Sequence, residues 1–270
     1  MIMMMQNENY EGKIDNAERK EQKVVTPRKS VVRVQFPDRG IHLSYYNDRF
    51  DLKVGDLVYV EGKLQGLLGR VIEVNYHFKI KTAEYKRVIT VVDTSIHGNL
   101  FATKENFITF ERDALPREKV IAWFKAPSQE EFAIGWDDSC FTLDDLSGMN
   151  VSKAIRKRGY RYYIDARIKY ISLDNGQGYA IILGSELYEV EFECVGREIR
   201  NLYCTCLCGC NCKHEVAVML YLKELLGFIN QEYQKEYEHT GYFAVISKGA
   251  PIKNIIRRKR NENLVHVTKI

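Results

Sequence analysis

Five of the seven cysteines of this 270-residue chain lie within nine positions, in the stretch CTCLCGCNCKH that begins at Cys204. Thiolate sulfur and imidazole nitrogen are the ligands that zinc prefers in proteins, and a structural zinc site takes four of them in a tetrahedron. Cys204 and Cys206 form a C-x-C pair, and Cys212 and His214 form a C-x-H pair. The pattern therefore predicts one Zn²⁺ site with these four residues as ligands.

Two further thiols, Cys208 and Cys210, lie in the link between the pairs. They could replace one of the four ligands, complete a second metal site or stay free. A run of alternating cysteines is also typical of proteins that trap soft metals, which leaves the identity of the metal open. A histidine followed at once by a helix-like segment favours a single ordered site.

The elements on either side of the cysteines must position them. REIRNLYC, which ends at Cys204, reads as a strand, and the apolar run after His214 reads as a packed core helix whose N-terminus faces the site. Upstream, the step Asn175-Gly176 predicts a β-hairpin. The alternation in ELYEVEFECV predicts that the Cys194 side chain points into the core. Cys140 is expected to be a small buried residue as well.

CTC followed by CKHEVAVML resembles the SWIM zinc finger, and the preceding KRGYRYYIDARI and hairpin resemble the segment before the finger in bacterial members. The resemblance covers about residues 150–226. Carried over by position, it implies the same four ligands. SWIM fingers occur in helicases, transposases and ubiquitin-pathway proteins, and the resemblance implies binding of DNA or protein. The five-residue spacing between the pairs is at the short end of that family's range.

The N-terminal part is rich in short strands, among them VVRVQF and VITVVD, separated by Gly and Asp turns. Such a pattern predicts a small, strongly bent β-barrel. The segments FPD and KVGD resemble small SH3-like barrels that accompany DNA-processing modules in bacteria. Such a barrel could bind nucleic acid or could only stabilise the protein.

The predicted fold class is α+β, with a small β-barrel followed by a zinc finger domain made of a hairpin, a strand and a helix. We expect five segments: a disordered leader at 1–28, the barrel at 29–98, a connector with some helix at 99–150, the finger domain at 151–228 and a basic tail at 229–270. Within the finger domain, SKAIRKRGYRYYIDARI predicts a short helix and a turn at Gly159.

The positive charge of the chain is concentrated at its C-terminal end. The formal net charge is +4, and residues 241–270 contain seven Lys or Arg residues against Glu262 alone. A second basic segment surrounds residues 153–169, where tyrosines alternate with cations. Basic side chains can contact phosphates while tyrosines stack on bases, although both segments could be merely solvated. The predicted nucleic-acid contacts are Arg156, Lys157, Arg158, Arg161, Arg257, Arg258, Lys259 and Arg260.

Catalysis is not expected. A site closed by four protein ligands leaves no position for a substrate, and the chain contains no H-E-x-x-H, P-loop or G-x-S-x-G motif. No apolar run is long enough to cross a bilayer, so we expect a cytoplasmic protein without membrane or small-molecule partners. The predicted function is a zinc-stabilised DNA-binding protein. The alternatives are an adaptor that docks onto a DNA-processing enzyme and a thiol-based metal or redox sensor that uses Cys208 and Cys210.

Overall fold

The computed structural model describes residues 27–127, 140–249, 252, 255, 256 and 265–269. Most of the predicted leader, residues 1–26, and the predicted basic contacts at 257–260 lie outside the described residues. Among the described residues, no helix combines the length and the apolarity that crossing a membrane requires. The described elements form an α+β fold with two sheets and four helices, which agrees with the predicted class.

The N-terminal sheet has five antiparallel strands. In chain order they are β1 (Ser30–Phe36), β2 (Ile41–Asn47), β3 (Leu57–Val60), β4 (Gly69–Asn75) and β5 (Val88–Val92), and their order in the sheet is β2-β1-β4-β3-β5. Their inward residues form a separate apolar core built on Val32, Val34, Phe36, Val58 and Val71. The alternation of β1 in the sequence is the alternation of burial in the structure.

The predicted closed barrel is wrong, because within the described residues the five-stranded sheet is open. Its edge strands β2 and β5 meet at a single bridge between Tyr46 and Arg87, where the Tyr46 amide donates to the Lys86 carbonyl over 2.9 Å. A barrel needs edge strands paired along their length. The first four residues of β2 are exposed instead and pair with β1, so no ladder to β5 closes the ring.

The second sheet has nine strands. They are β6 (Gly98–Ala102), β7 (Asn106–Thr109), β8 (Phe141–Thr142), β9 (Ile168–Asp174), β10 (Gln177–Leu183), β11 (Leu187–Val195), β12 (Glu198–Cys204), β13 (Tyr242–Ser247) and β14 (Val265–Lys269). Their order is β14-β6-β7-β13-β9-β10-β11-β12-β8, and all pairs are antiparallel except β14 with β6. The predicted hairpin is confirmed: β9 and β10 are joined at Asn175 and Gly176, both with positive φ.

The sheet draws on segments well outside residues 151–228. Strands β7 and β8 lie within 99–150, β6 begins one residue before that range, and β13 comes from 229–270 and inserts between β7 and β9. The four helices are α1 (Arg117–Phe124), α2 (Lys153–Ile164), α3 (Lys213–Glu232) and α4 (Gln234–Thr240).

Two apolar cores involve this sheet. One contains α3 and the buried residues of β9–β12, and the other contains α1 together with residues of β3 and β5. The second core ties the two sheets together. Tyr59 of β3 donates its hydroxyl proton to the Ala122 carbonyl of α1 over 3.0 Å, and Trp123 donates its indole N–H to the Asp93 carbonyl over 2.7 Å.

Helices α2 and α3 lie against each other, and the predicted turn at Gly159 is wrong. Gly159 is buried in the middle of α2, and a Cβ atom there would lie 2.5 Å from Cβ of Val216 and 3.0 Å from the Lys213 carbonyl oxygen. The missing side chain lets α2 approach the first turns of α3. The glycine therefore serves close helix packing and leaves the helix intact.

Candidate metal centre

The structure brings together the four residues predicted as ligands. Their ligand atoms, three Sγ and one imidazole nitrogen, all lie within 4.8 Å of one another. Cys204, Cys212 and His214 are buried, and Cys206 is half-buried. This Cys₃His cluster can hold a metal ion, and three sulfurs with one nitrogen form a donor set that suits zinc.

Strand β12 positions the first pair. Cys204 is the last residue of β12 and faces Val190 of β11, and the Thr205 amide extends that ladder by donating to the Glu189 carbonyl over 2.9 Å. The chain then turns, because the Cys208 amide donates to the Cys206 carbonyl over 2.8 Å. Before this turn, the Cys206 amide donates to the Cys204 sulfur over 3.5 Å, which keeps the two residues of the pair together.

The first turn of α3 positions the second pair. Cys212 is the N-cap of α3, and it forms a capping box with Glu215, whose carboxylate accepts from the Cys212 amide over 2.7 Å. The link reaches this cap through Gly209, whose φ of 61° is the left-handed conformation that glycine adopts without strain. The N-terminal end of the helix dipole faces the sulfurs and favours thiolate charge there.

The thiols of the cluster change one another's pKa through hydrogen bonds even without a bound cation. Hydrogen bonds from the side chains of Cys204 and then Cys212 hold the pKa of the Cys206 thiol far below its usual range. The same contacts with Cys206 and Cys212, followed by burial, raise the pKa of Cys204. Hydrogen bonding among the thiols thus favours a thiolate shared within the cluster and opposes a second one. A divalent cation would replace the remaining thiol protons, so metal affinity falls as pH falls.

His214 is held by aromatic rings. Its side chain is 1% exposed, stacks on Tyr188 at a centroid distance of 4.3 Å and contacts Tyr162 at 5.4 Å. Nδ1 lies 3.6 Å from the Cys204 sulfur, while the buried Nε2 has no hydrogen-bond partner among the described residues. The nitrogen that faces the sulfurs is free to act as a ligand, and no competing hydrogen bond holds the ring in another orientation.

The geometry fits a tetrahedral ion. Zinc–sulfur bonds of about 2.3 Å place sulfur ligands about 3.8 Å apart, so a cluster whose donors span no more than 4.8 Å closes on an ion with small shifts. The cluster contains no carboxylate, which argues against magnesium or calcium.

Sequence reasoning did not identify Gly184 or Tyr188 as parts of the site. Gly184 follows β10, and a Cβ atom there would lie 2.9 Å from Nε2 of His214 and 2.6 Å from Cε2 of Tyr188. The missing Cβ makes room for the imidazole and its stacking partner. The sequence carries no signal for this role, since a glycine between two strands reads as a turn.

The remaining cysteines lie apart from the four-residue cluster. Cys208 and Cys210 are exposed in the link, although the Cys208 side chain hydrogen-bonds that of Cys206. Cys194 is buried in the core, as predicted. The prediction for Cys140 is wrong, because Cys140 is exposed and its thiol hydrogen-bonds the side chains of Glu198 and Arg200.

The basic side chains predicted on the helix are all on its surface. Arg156, Lys157, Arg158 and Arg161 are exposed, and none forms a salt bridge within the part of the chain that the structure describes. Their counterparts Arg257, Arg258, Lys259 and Arg260 lie outside the described residues.

Comparison of the chain with protein-family models, with curated proteins and with solved structures gave no match. The functional assignment therefore depends on the geometry of the cluster, on the charge of the surface around it and on the local resemblance of its motif.

Proposed function

We propose that this chain is a zinc-binding protein whose Cys₃His centre is a structural finger of the SWIM type. The observation that carries the proposal is the convergence of Cys204, Cys206, Cys212 and His214 between a strand end and a helix start. The resemblance of CTC and CKHEVAVML to the SWIM motif supports it.

The proposed role of the ion is to cross-link β12 and α3. Cys204 and Cys206 would hold it from the strand side, and Cys212 and His214 from the helix side. Four protein ligands leave no open coordination position, in contrast to catalytic zinc sites. We therefore propose a scaffold without enzymatic activity.

Metal analysis of purified protein tests this assignment. We expect about one zinc per chain, and loss of that zinc in Cys206→Ser, because a structural site requires all four ligands. Cys140→Ser is the matched control, since Cys140 is an exposed cysteine outside the cluster. Protein that is prepared anaerobically and contains no transition metal would refute the proposal.

We further propose that the partner is nucleic acid, bound through α2. This helix carries five Lys or Arg residues and no acidic residue in its twelve positions. Cations near a helix N-terminus oppose the helix dipole, and like charges four residues apart, as at Lys153, Lys157 and Arg161, repel each other. The arrangement costs helix stability, and a polyanionic partner offsets that cost.

Binding of labelled DNA across a salt series tests the electrostatic proposal. If the five cations of α2 contact phosphates, the slope of log K against log salt is about −4.5 for duplex DNA and about −3.5 for single strands. Affinity that is independent of salt, or no binding at low salt, would contradict it.

A protein adaptor is the second candidate function. The observation that favours it is Leu207, which is 93% exposed in the loop between the two ligand pairs. An apolar side chain presented in this way can insert into a partner protein. An adaptor would retain its partners in pull-downs after nuclease treatment and lose them in Leu207→Ser, whereas a nucleic-acid-binding protein would show the opposite pattern.

A further inference from the structure

A groove with a volume of about 590 Å³ lies between α2, α3 and the 3₁₀ turn Leu146–Met149. Its floor is apolar and is formed by Met149, Val151, Val216 and Leu220. The volume lies within the range of about 300–1,000 Å³ that small-ligand sites occupy. It is large enough for a flat ring to enter.

The rim of this groove is cationic. Lys153, Arg156, Lys157 and Lys223 line it, and no carboxylate does. Asp145 lies close by, and hydrogen bonds from the amide and hydroxyl of Ser147 at 2.9 and 2.8 Å lower its pKa. Its carboxylate therefore offsets part of the charge of Arg156 and Lys223 and leaves Lys153 and Lys157 as the less opposed cations. An apolar floor under four positive charges is complementary to a ligand with an apolar body and anionic flanks.

An aromatic ring stands at the mouth of the groove. Tyr160 lines the groove, is 55% exposed, and has the ring of Tyr163 at a centroid distance of 6.1 Å. Tyr163 is fixed in turn by its hydroxyl, which donates to the Glu224 carboxylate over 2.5 Å. A supported, exposed tyrosine offers a stacking face to a planar ligand.

We propose that this groove accepts an unpaired base of single-stranded nucleic acid, with the flanking phosphates on Lys153, Arg156 and Lys157. The proposal rests on the proposed function and adds strand preference to it. Bases in a duplex are already stacked and paired, so their faces cannot enter an apolar groove. Single-strand binding proteins combine cationic tracks with aromatic rings in this way.

The surface favours a nucleic-acid strand over an acidic peptide. Arg161 is exposed one helical turn beyond Lys157 on α2, so the charged track is longer than the groove itself. A regularly charged strand uses the whole track. The apolar floor presents no side chain able to read the hydrogen-bonding edge of a base, so recognition is tolerant of sequence.

The test uses the full-length zinc-loaded protein and an oligonucleotide containing 2-aminopurine, whose fluorescence is quenched by stacking. We expect quenching with the single strand, at least about 10-fold tighter binding of single-stranded than of duplex DNA, and about 5-fold or greater weakening of single-strand binding in Tyr160→Ser. Ile164→Ser is the matched control, because Ile164 is 60% exposed on the same helix and does not line the groove.

The outcomes separate the two proposals. Equal affinity for both forms of DNA, with Tyr160→Ser binding like the unchanged protein, would overturn the base groove and leave DNA binding in place. Absence of binding to either form at low salt would overturn the proposed function. Binding of a polyglutamate peptide in place of DNA would overturn both and assign the groove to a protein partner.

Discussion

Helices α2 and α3 touch, with the middle of α2 against the first turn of α3, but differ in almost every other respect. Ten of the twenty residues of α3 are buried, whereas Gly159 is the one buried residue among the twelve of α2. Helix α3 contributes Cys212 at its N-cap and His214 in its first turn to the candidate metal centre, and α2 contributes exposed cations.

The comparison separates stability from binding. Helix α3 lies in the main core with β9–β12, so changes in it alter folding and the metal site together. Helix α2 packs on that scaffold through Gly159 and the partly buried Ile155, Tyr162 and Tyr163, and leaves its charges to solvent. Substitutions of the exposed cations of α2 and of the buried residues of α3 should therefore affect different measurements.

The largest expected effect is that of His214→Ala. It removes a proposed zinc ligand, and because metal binding free energy is also folding free energy, we expect a loss of more than about 4 kcal/mol in the free energy of unfolding. Thermal unfolding followed by circular dichroism measures it, together with zinc content. His239→Ala on α4, an exposed histidine, is the control. An unchanged melting temperature in His214→Ala would show that α3 does not stabilise the protein through the metal site, and the contrast with α2 would be lost.

The second effect concerns the contact between them. Gly159→Ala places a methyl group 2.5 Å from Val216, and such overpacking costs about 1–3 kcal/mol. We expect lower stability in urea unfolding, with zinc retained.

Gly227→Ala in α3 provides the contrast for that measurement. A Cβ atom there meets nothing within 4 Å, so the substitution removes a mid-helix glycine and should stabilise the protein by about 0.5–1 kcal/mol. Equal effects of the two substitutions would show that Gly159 does not set the distance between the helices.

The third prediction sharpens the binding side of the comparison. The pair Arg158→Gln and Arg161→Gln should make the salt slope for duplex DNA shallower by about 2. Stability should stay within about 0.5 kcal/mol, because both side chains are exposed. Lys63→Gln with Lys235→Gln removes the same charge at exposed positions elsewhere and should leave the slope unchanged. If both double variants made the salt slope equally shallower, the effect would come from net charge and not from contacts of α2 with DNA.

The smallest effect is expected from Cys208→Ser with Cys210→Ser. Both residues are exposed and lie outside the four-residue cluster, so zinc content should remain one per chain and stability should change by less than about 0.5 kcal/mol. Inductively coupled plasma mass spectrometry and thermal unfolding measure the two quantities. Loss of zinc in this variant would make one of these thiols a ligand and place the site in the exposed link.

Local features were predictable from the sequence because they depend on neighbouring residues. The alternation in β1, the Asn175-Gly176 turn and the convergence of two short-spaced ligand pairs all follow from spacing within a few residues. The role of Gly159 could not be read in this way. A glycine inside a basic, tyrosine-rich segment reads as a turn until Val216 of another helix is known to lie against it.

Long-range pairing was also beyond the sequence. Whether the five N-terminal strands close into a barrel depends on whether β2 pairs with β5. The exposed first half of β2 carries no distinctive local pattern that would predict this. The placement of β13 beside β7 and β9 depends on partners more than 60 residues away in the chain, and local hydrophobic periodicity contains no information about them.

The position of β13 has a consequence for how the chain acquires its structure during translation. Residues 242–247 pair with β7 and β9, which are synthesised well before them. When the cysteine cluster has just left the ribosome, the facing edges of these two strands are therefore still unpaired. The cluster thus emerges from the ribosome ahead of the strand that unites its sheet. Early binding of the metal would hold β12 and α3 together in this intermediate until β13 completes the sheet.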